Sequence, residues 1–233
     1  MTTHFQDLTI VLVHGAWADG SCWQRVVVQL QRLDFKVTCA PLPLTSLPDD
    51  VAAVTRTLER TTTPVVLAGH AYGGAVIGAT RDDRVKSLVY MAALAPDKGE
   101  TVAQMFYRDI PHPDTPTLAP DKHGLLWMPE EGFHRAVAHK ALLDQRSVMA
   151  AAQRPIALKC IEEPAPTPGW KAHPSWFLVA DEDRMINPKT QHFMAQRMGA
   201  VIRSHPVDHS PMVSAPELVT DVILEAARDA LSK

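Results

Sequence analysis

The chain has 233 residues, of which 46% are hydrophobic and 21% charged, and its formal net charge at pH 7 is −3. This length suffices for one domain with a sizeable core, and we expect a single domain over residues 1–233. The slightly acidic balance provides no basic field for phosphates or anionic lipids, so we expect neither nucleic acid nor membrane as a partner.

Short apolar runs rich in β-branched residues alternate along the chain with longer amphipathic stretches. This rhythm is typical of βαβ units, and it predicts an α/β fold: a mostly parallel sheet of about six strands with helices on both faces. The predicted strands are residues 9–13, 36–40, 64–68, 85–91, 175–180 and 201–206. Apolar residues at helical spacing predict the main helices over residues 20–33, 49–60, 188–198 and 213–231.

The cysteines and histidines indicate no metal or disulfide chemistry. Cys22, Cys39 and Cys160 are widely spaced without a CxxC pair, which predicts free thiols. His134 and His139 are five residues apart and so lie on different helix faces, and we expect neither metal nor cofactor. The N-terminus lacks a basic segment followed by an apolar one, and no apolar run could span a bilayer, so we expect a cytoplasmic protein.

Residues 96–171 interrupt the alternation with Pro-rich loops and short helices between two predicted strands. An insertion of this length is usually functional, and we expect a cap over a ligand site. Its soft and aromatic side chains suit the wall of an apolar cavity, and Phe106, Trp127 and Met128 are candidate substrate contacts. The alternative is that these side chains pack a small satellite core.

The clearest motif follows the third predicted strand. This apolar run leads directly into Gly69-His70-Ala71-Tyr72-Gly73, with glycines two residues before and after a central position. That is the G-x-S-x-G spacing of a nucleophile elbow, in which a strand turns sharply into a helix, except that alanine stands at the centre. The spacing alone is a weak signal, because glycine pairs at this distance also serve helix packing.

Three further groups stand where predicted strands end. The first strand is followed by His14-Gly15, the fifth by the acidic residues 181–183, and the last by His209 ahead of the C-terminal helix. We expect these groups to converge with the elbow at the carboxyl ends of neighbouring strands.

With these parts in this order, the chain resembles the α/β-hydrolase superfamily over nearly its whole length. It looks most like the small-capped esterases that are similar to plant methylesterases and hydroxynitrile lyases. The resemblance implies that the backbone N–H groups of Ala16 and Tyr72 form the oxyanion hole. Trp17 in the first loop and His70 beside the elbow centre are further candidate ligand contacts, although packing against the sheet is an equal alternative for His70.

The resemblance further implies a catalytic triad in the family's chain order, with residue 71 as the nucleophile position, Asp183 as the acid and His209 as the base. Asp183 matches the family position five residues before Pro188, and Asp97 is the alternative acid. Asp208 is interpreted as structural, because side chains adjacent in the chain diverge.

The alanine at position 71 changes what this site can do. A methyl group cannot attack a carbonyl, so the chain is expected to bind an ester without turning it over. Two accounts fit: a deliberate serine-to-alanine change that holds a bound ligand, or a natural protein that has given up hydrolysis. An elbow centre is strained, and a protein freed from catalysis has little reason to keep it beside His209 and Asp183, which favours the deliberate change.

In its serine form the chain is expected to be a carboxylic ester or lactone hydrolase, acting as a monomer or homodimer on a small-to-medium apolar substrate through an acyl-enzyme. One alternative is a non-catalytic ligand-binding homologue. Another is a hydroxynitrile lyase, but the lyases that the chain resembles place a lysine after the catalytic histidine, where Ser210 stands here, and a threonine in the first oxyanion loop, where Gly15 and Ala16 stand.

Overall fold

The computed structural model describes residues 5–232. In chain order, the strands of this part are β1 Thr9–Val13, β2 Lys36–Ala40, β3 Val65–His70, β4 Val85–Met91, β5 Leu125–Leu126, β6 Ile156–Ala157, β7 Ser175–Ala180 and β8 Val201–His205. Within the described residues, one parallel sheet has the order β2-β1-β3-β4-β7-β8, and β5 and β6 form a short antiparallel pair. The predicted α/β class and its main strands are confirmed.

The helices follow the predicted alternation. They are α1 Gln24–Gln31, α2 Leu47–Leu58, α3 Tyr72–Ala79, α4 Val102–Phe106, α5 Glu130–Gly132, α6 Leu143–Ala151, α7 Leu158–Glu162, α8 Pro188–Arg197, α9 Pro211–Ser214 and α10 Pro216–Leu231. The prediction of one helix over residues 213–231 is wrong at its start. Ala215 has φ −144° and ψ 57°, outside the helical region, and separates α9 from α10, because Pro216 disfavours the helical conformation of the residue before it.

Apolar residues of the sheet face two ways. In β1, Val11 and Val13 join the core on the side of α2, α3 and α8. Ile10 and Leu12 join the core on the side of α1 and α10. A strand alternates its side chains between faces, so β1 is buried on both. The segment between β4 and β7 carries α4 to α7, and part of it forms a further apolar cluster around Phe133.

Two glycines of α3 have different surroundings. A Cβ on Gly74 would lie 2.6 Å from the carbonyl oxygen of Leu94 and 2.7 Å from Cβ of Ala93. A Cβ on Gly78 would make ordinary contacts, with its nearest neighbour, Oη of Tyr90, at 3.4 Å. The close approach of α3 to the loop after β4 therefore depends on Gly74.

Gly74→Ala should lower the free energy of unfolding by about 1–3 kcal/mol, because the added methyl overpacks this contact. The matched variant Gly78→Ala should raise it by roughly 0.5–1 kcal/mol, because alanine favours the helix and restricts the unfolded chain. Urea unfolding measures both. Two variants of equal stability would contradict the close approach.

Candidate active site

Residue 71 lies in a sharp turn between β3 and α3. Ala71 has φ 49° and ψ −119°, a positive φ that is costly for a residue with a side chain. Its N–H donates to the carbonyl of Met91 (3.2 Å), and its carbonyl accepts from the N–H groups of Gly74 and Leu94 (3.0 Å each). These backbone hydrogen bonds hold residue 71 on both sides of the turn.

The two flanking glycines are required by close backbone contacts. A Cβ on Gly69 would lie 2.6 Å from the carbonyl oxygen of Gly73. A Cβ on Gly73 would lie 2.7 Å from the carbonyl oxygen of His14. The first contact closes the turn on itself, and the second places it against the loop after β1. The strand, turn and helix predicted from the motif are all present.

A buried hydrogen bond joins the predicted base and acid. Nδ1 of His209 lies 2.8 Å from Oδ2 of Asp183, and both side chains are buried. The Asp183 carboxylate also accepts from the N–H groups of Met185 (2.7 Å) and Ile186 (2.9 Å) and from Nε2 of Gln191 (2.7 Å). With Nδ1–H donating to the carboxylate, Nε2 of His209 keeps its lone pair and can accept a proton.

The other candidate carboxylates are engaged elsewhere. Asp97 forms an ion pair with Lys171 (2.5 Å), and this hydrogen bond lowers the pKa of the Asp97 carboxyl. Asp208 accepts from the N–H of Lys140 (2.8 Å) and the hydroxyl of Ser214 (2.6 Å). Asp97 thus lacks the contact that an orienting acid needs, and Asp208 ties loops together.

The loop after β1 supplies the second side of the site. A Cβ on Gly15 would lie 2.9 Å from Cβ of Ala71, so the loop touches the elbow. Ala16 and Tyr72 line the same cavity as Ala71 and His209. Within residues 5–232, neither the Ala16 nor the Tyr72 N–H donates a backbone hydrogen bond outside regular secondary structure. Both residues thus lie at the cavity wall without such a backbone partner for their N–H groups.

His14 holds this loop in place. Its Nδ1 donates to the carbonyl of Gly15 (2.9 Å), and its Nε2 accepts from the N–H of Leu42 (3.1 Å). Burial lowers the pKa of His14 below its ordinary value, which keeps the ring neutral, as this pair of contacts requires. His14 thus positions the neighbouring amide of Ala16.

An apolar cavity of about 230 Å³ covers residue 71. Predicted contacts Trp17 and Phe106 lie in its wall. The insertion between β4 and β7 contributes most of the remaining wall: Ala103, Tyr107, Leu118, Leu126, Ile156, Leu158 and Ile161. The volume and the apolar lining suit a small-to-medium apolar ligand.

Two predicted contacts need correction, and a third lies beside the cavity rather than in its wall. Trp127 is 49% exposed and donates its indole N–H to Asp121, since it follows Leu126 in an extended segment and points away from the cavity. Met128 is buried in the separate cluster around Phe133. His70 lines a small neighbouring space together with Ala71 and His209, rather than the 230 Å³ cavity. It packs behind the elbow, where its Nε2 lies 2.7 Å from the carbonyl oxygen of His209.

Sequence reasoning missed a buried carboxylate that supports the elbow. Asp50 in α2 is fully buried, and its carboxylate accepts from the hydroxyl of Tyr72 and from the N–H of Leu44, both at 2.7 Å. Burial raises the pKa of Asp50 above its ordinary value. In the sequence, Asp50 is an ordinary acidic residue of a helical first turn and gives no signal of this role.

Tyr72→Phe should lower the free energy of unfolding by about 1–3 kcal/mol at neutral pH, because Asp50 loses a buried donor. The pKa of Asp50 is raised in the folded chain, so its ionisation costs stability as the pH rises through the folded pKa. The hydrogen bond from Tyr72 lowers this pKa, so its loss adds to that cost only where Asp50 is ionised. The cost should therefore shrink under acid conditions. Tyr90→Phe is the control, since the Tyr90 hydroxyl is buried without a partner among the described residues and should cost nothing.

Within residues 5–232, no group of three or more His, Cys, Asp or Glu side chains is arranged to hold a metal ion. None of the helices in that range combines the length and apolar character needed to cross a membrane.

Comparison with known proteins gives the chain its family. A sequence profile of the alpha/beta hydrolase family matches residues 10–222. Methylesterase 2 of Arabidopsis thaliana is 25% identical over 250 residues, covering 93% of this chain and 95% of the relative.

Solved structures agree in fold. Polyneuridine aldehyde esterase superposes with a TM-score of 0.82 at 17% identity, over 94% of this chain and 99% of the other. A variant of tomato methylketone synthase I complexed with beta-ketoheptanoate has a TM-score of 0.82 at 16% identity, over 96% and 99%. The chain belongs to the alpha/beta hydrolase family and is, by family, a carboxylic ester hydrolase.

Proposed function

We propose that this chain is the scaffold of a serine-type hydrolase for small-to-medium apolar esters or lactones. With Ala71 at the nucleophile position, it binds the ester without hydrolysing it. The observation that carries the proposal is the buried contact of 2.8 Å between His209 and Asp183 at the wall of the cavity that covers residue 71. A base, an acid that orients it and an apolar cavity above an elbow are the parts that acyl transfer needs.

In the serine form, the hydroxyl of residue 71 attacks the ester carbon while His209 takes its proton. The developing oxyanion accepts hydrogen bonds from the amides of Ala16 and Tyr72, each worth about 3–4 kcal/mol in such transition states. The alcohol leaves with the proton from His209, and water then releases the acyl group. Asp183 keeps the imidazole in the tautomer that this cycle requires.

The retained strain at residue 71 supports a deliberate serine-to-alanine change. Ala71 keeps its positive φ although its methyl cannot act as a nucleophile, and the His209–Asp183 pair is kept with it. Such a change leaves the cavity unaltered and stops the reaction before the first bond forms.

The test compares binding with turnover. The chain with Ala71 should bind a short p-nitrophenyl ester in calorimetric titration and release no p-nitrophenol above the rate in buffer. The Ala71→Ser variant should bind with similar affinity and release it. If neither chain binds, the cavity is not an ester site. If both bind and neither releases p-nitrophenol, the function is binding alone.

The methyl at residue 71 also favours a second candidate, a carbon–carbon lyase that needs an oxyanion hole and a proton donor but no nucleophile. Loss of CO2 from a β-keto acid is such a reaction. The bond to the carboxylate breaks, and its electrons form an enolate whose oxygen the amides of Ala16 and Tyr72 hold. Protonated His209 then gives its proton to the carbanionic carbon, and the ketone leaves.

This second candidate has its own readout. The chain with Ala71 should release CO2 from beta-ketoheptanoate, the β-keto acid present in the similar tomato structure. His209→Ala should abolish the release. If the unsubstituted chain releases CO2 no faster than His209→Ala does, the lyase function is excluded.

A further inference from the structure

A second, much smaller chamber adjoins the substrate cavity. Its volume is about 20 Å³, and it shares Ala16, Trp17, Ala71 and His209 with the wall of the larger cavity. Both spaces therefore meet at residue 71. One water molecule requires a cavity of roughly 10–15 Å³, so the chamber accommodates a single water and excludes an acyl or alcohol group.

The His70 ring supplies a polar contact to this chamber. Nε2–H of His70 donates to the carbonyl of His209, and burial lowers the pKa of His70 well below its ordinary value, so the ring is neutral. Nδ1 then carries a lone pair. It is buried and has no hydrogen-bond partner among the described residues, although His70 lines the chamber. A buried acceptor beside a water-sized space is a water site.

Gly15 leaves room beside this nitrogen. A Cβ on Gly15 would lie 3.1 Å from Nδ1 of His70 and 2.9 Å from Cβ of Ala71. A side chain at position 15 would thus crowd both the acceptor and the nucleophile position.

The chamber also adjoins a groove of about 310 Å³ at the surface, on the side of α6. Polar and charged side chains, among them Asp19, Arg25 and Asp144, line the groove. The chamber and the groove share five residues: Trp17, Ala18, Cys22, Met149 and Met212. Solvent in the groove thus lies next to the chamber, and an approach from the groove does not pass through the apolar substrate cavity.

We propose that the chamber binds the hydrolytic water, held by Nδ1 of His70, and that this water arrives from the groove beside α6 rather than through the substrate cavity. The proposal rests on the ester hydrolase function. An acyl group on residue 71 fills the apolar cavity, so water coming from that side would have to pass it. The chamber gives water a separate approach.

One O–H of the water donates to Nδ1 of His70 and the other to Nε2 of His209, which leaves an oxygen lone pair for the acyl carbon. As the oxygen–carbon bond forms, the proton moves to His209. The bond from the acyl carbon to the residue 71 oxygen then breaks, the serine oxygen regains the proton from His209, and the carboxylic acid leaves.

Narrowing the chamber should slow deacylation and spare acylation. In the Ala71→Ser background with p-nitrophenyl octanoate, whose acyl group is long enough to occupy the cavity, stopped-flow absorbance gives acylation as a burst and deacylation as the following slope. Cys22→Leu should keep the burst rate within twofold and lower the slope at least tenfold. Met149→Trp narrows the chamber from α6 and should also lower the slope while keeping the burst rate. It provides a second measurement if Cys22→Leu does not fold.

Two matched variants separate the routes. Val148→Leu enlarges a 65% exposed side chain that lines the groove but not the chamber, and both phases should stay unchanged. Ala103→Leu narrows the substrate cavity and should slow the burst while sparing the slope. Equal slowing of both phases by Cys22→Leu and Met149→Trp, or an unchanged slope in both, overturns the proposed route.

A crystal structure of the chain with Ala71 tests the water site without any activity. We expect a water within hydrogen-bonding distance of Nδ1 of His70, and its loss in Cys22→Leu. A chamber without water in the unsubstituted chain overturns the proposal whatever the kinetics. If Ala71→Ser shows neither burst nor turnover, the hydrolase function has failed, and a water on His70 then shows a structural site that has no hydrolytic role.

Discussion

Ala71→Ser should raise the rate of p-nitrophenyl acetate hydrolysis about 10⁴-fold or more, because loss of a triad nucleophile costs up to about 10⁶ in kcat. The backbone of residue 71 is already held by hydrogen bonds to Met91, Gly74 and Leu94. Serine adds a single oxygen to the Cβ that is present, at the wall of the cavity. The new hydroxyl therefore requires no rearrangement of the turn.

The control for this gain is a hydroxyl at another point of the same cavity. Ala103 lines the cavity wall from α4, and Ala103→Ser should leave hydrolysis at the rate of the parent chain. Initial rates of p-nitrophenol release at several ester concentrations measure both variants. If Ala71→Ser folds as the parent does and is no faster, the ester hydrolase function is excluded.

The second large effect concerns the acid. In the Ala71→Ser background, Asp183→Asn should lower kcat by about 10³–10⁴-fold, because an amide no longer fixes Nδ1–H of His209 and its NH2 group faces the donor of Gln191. KM should stay within a fewfold, since Asp183 is not among the residues that line the substrate cavity. The variant thus separates orientation of the base from binding of the ester.

Asp97→Asn is the matched variant, because Asp97 is the alternative acid in the sequence. It pairs with Lys171 at the protein surface, so its removal should change kcat by less than twofold. Steady-state kinetics on the two variants side by side decide between the carboxylates. A larger loss of kcat in Asp97→Asn than in Asp183→Asn would mean that Asp97, and not Asp183, is the acid of the triad.

The strands were predictable because most are short apolar runs, and the sheet buries its central strands, such as β1 and β3, on both faces. β1, for example, begins and ends where its pattern does, at Thr9 and Val13. The C-terminal helix was predicted one turn too early, since the apolar pattern continues through Val213 while Pro216 breaks the backbone. Periodicity reports which side chains are buried, and it does not report where a backbone turns.

The polar groups of the site were predictable from their order at strand ends, as the contact between Asp183 and His209 illustrates. The walls of the cavity were predictable only in part, at Trp17 and Phe106. Trp127 and Met128 have the right chemistry but point elsewhere, because side-chain direction in an irregular insertion depends on a path that the sequence does not reveal. Asp50 was missed because a carboxylate buried by tertiary packing has no local signature.

The positive φ of Ala71 has one more consequence. The turn is maintained by main-chain groups of β4, α3 and the loop after β4, so its shape does not depend on which short side chain it carries. Foldability and reactivity are thus separable at this position. A change of one codon replaces the methyl with a thiol or a carboxylate, next to the same imidazole of His209 and the same amides of Ala16 and Tyr72. The reaction can thus be altered at this position without a change of fold.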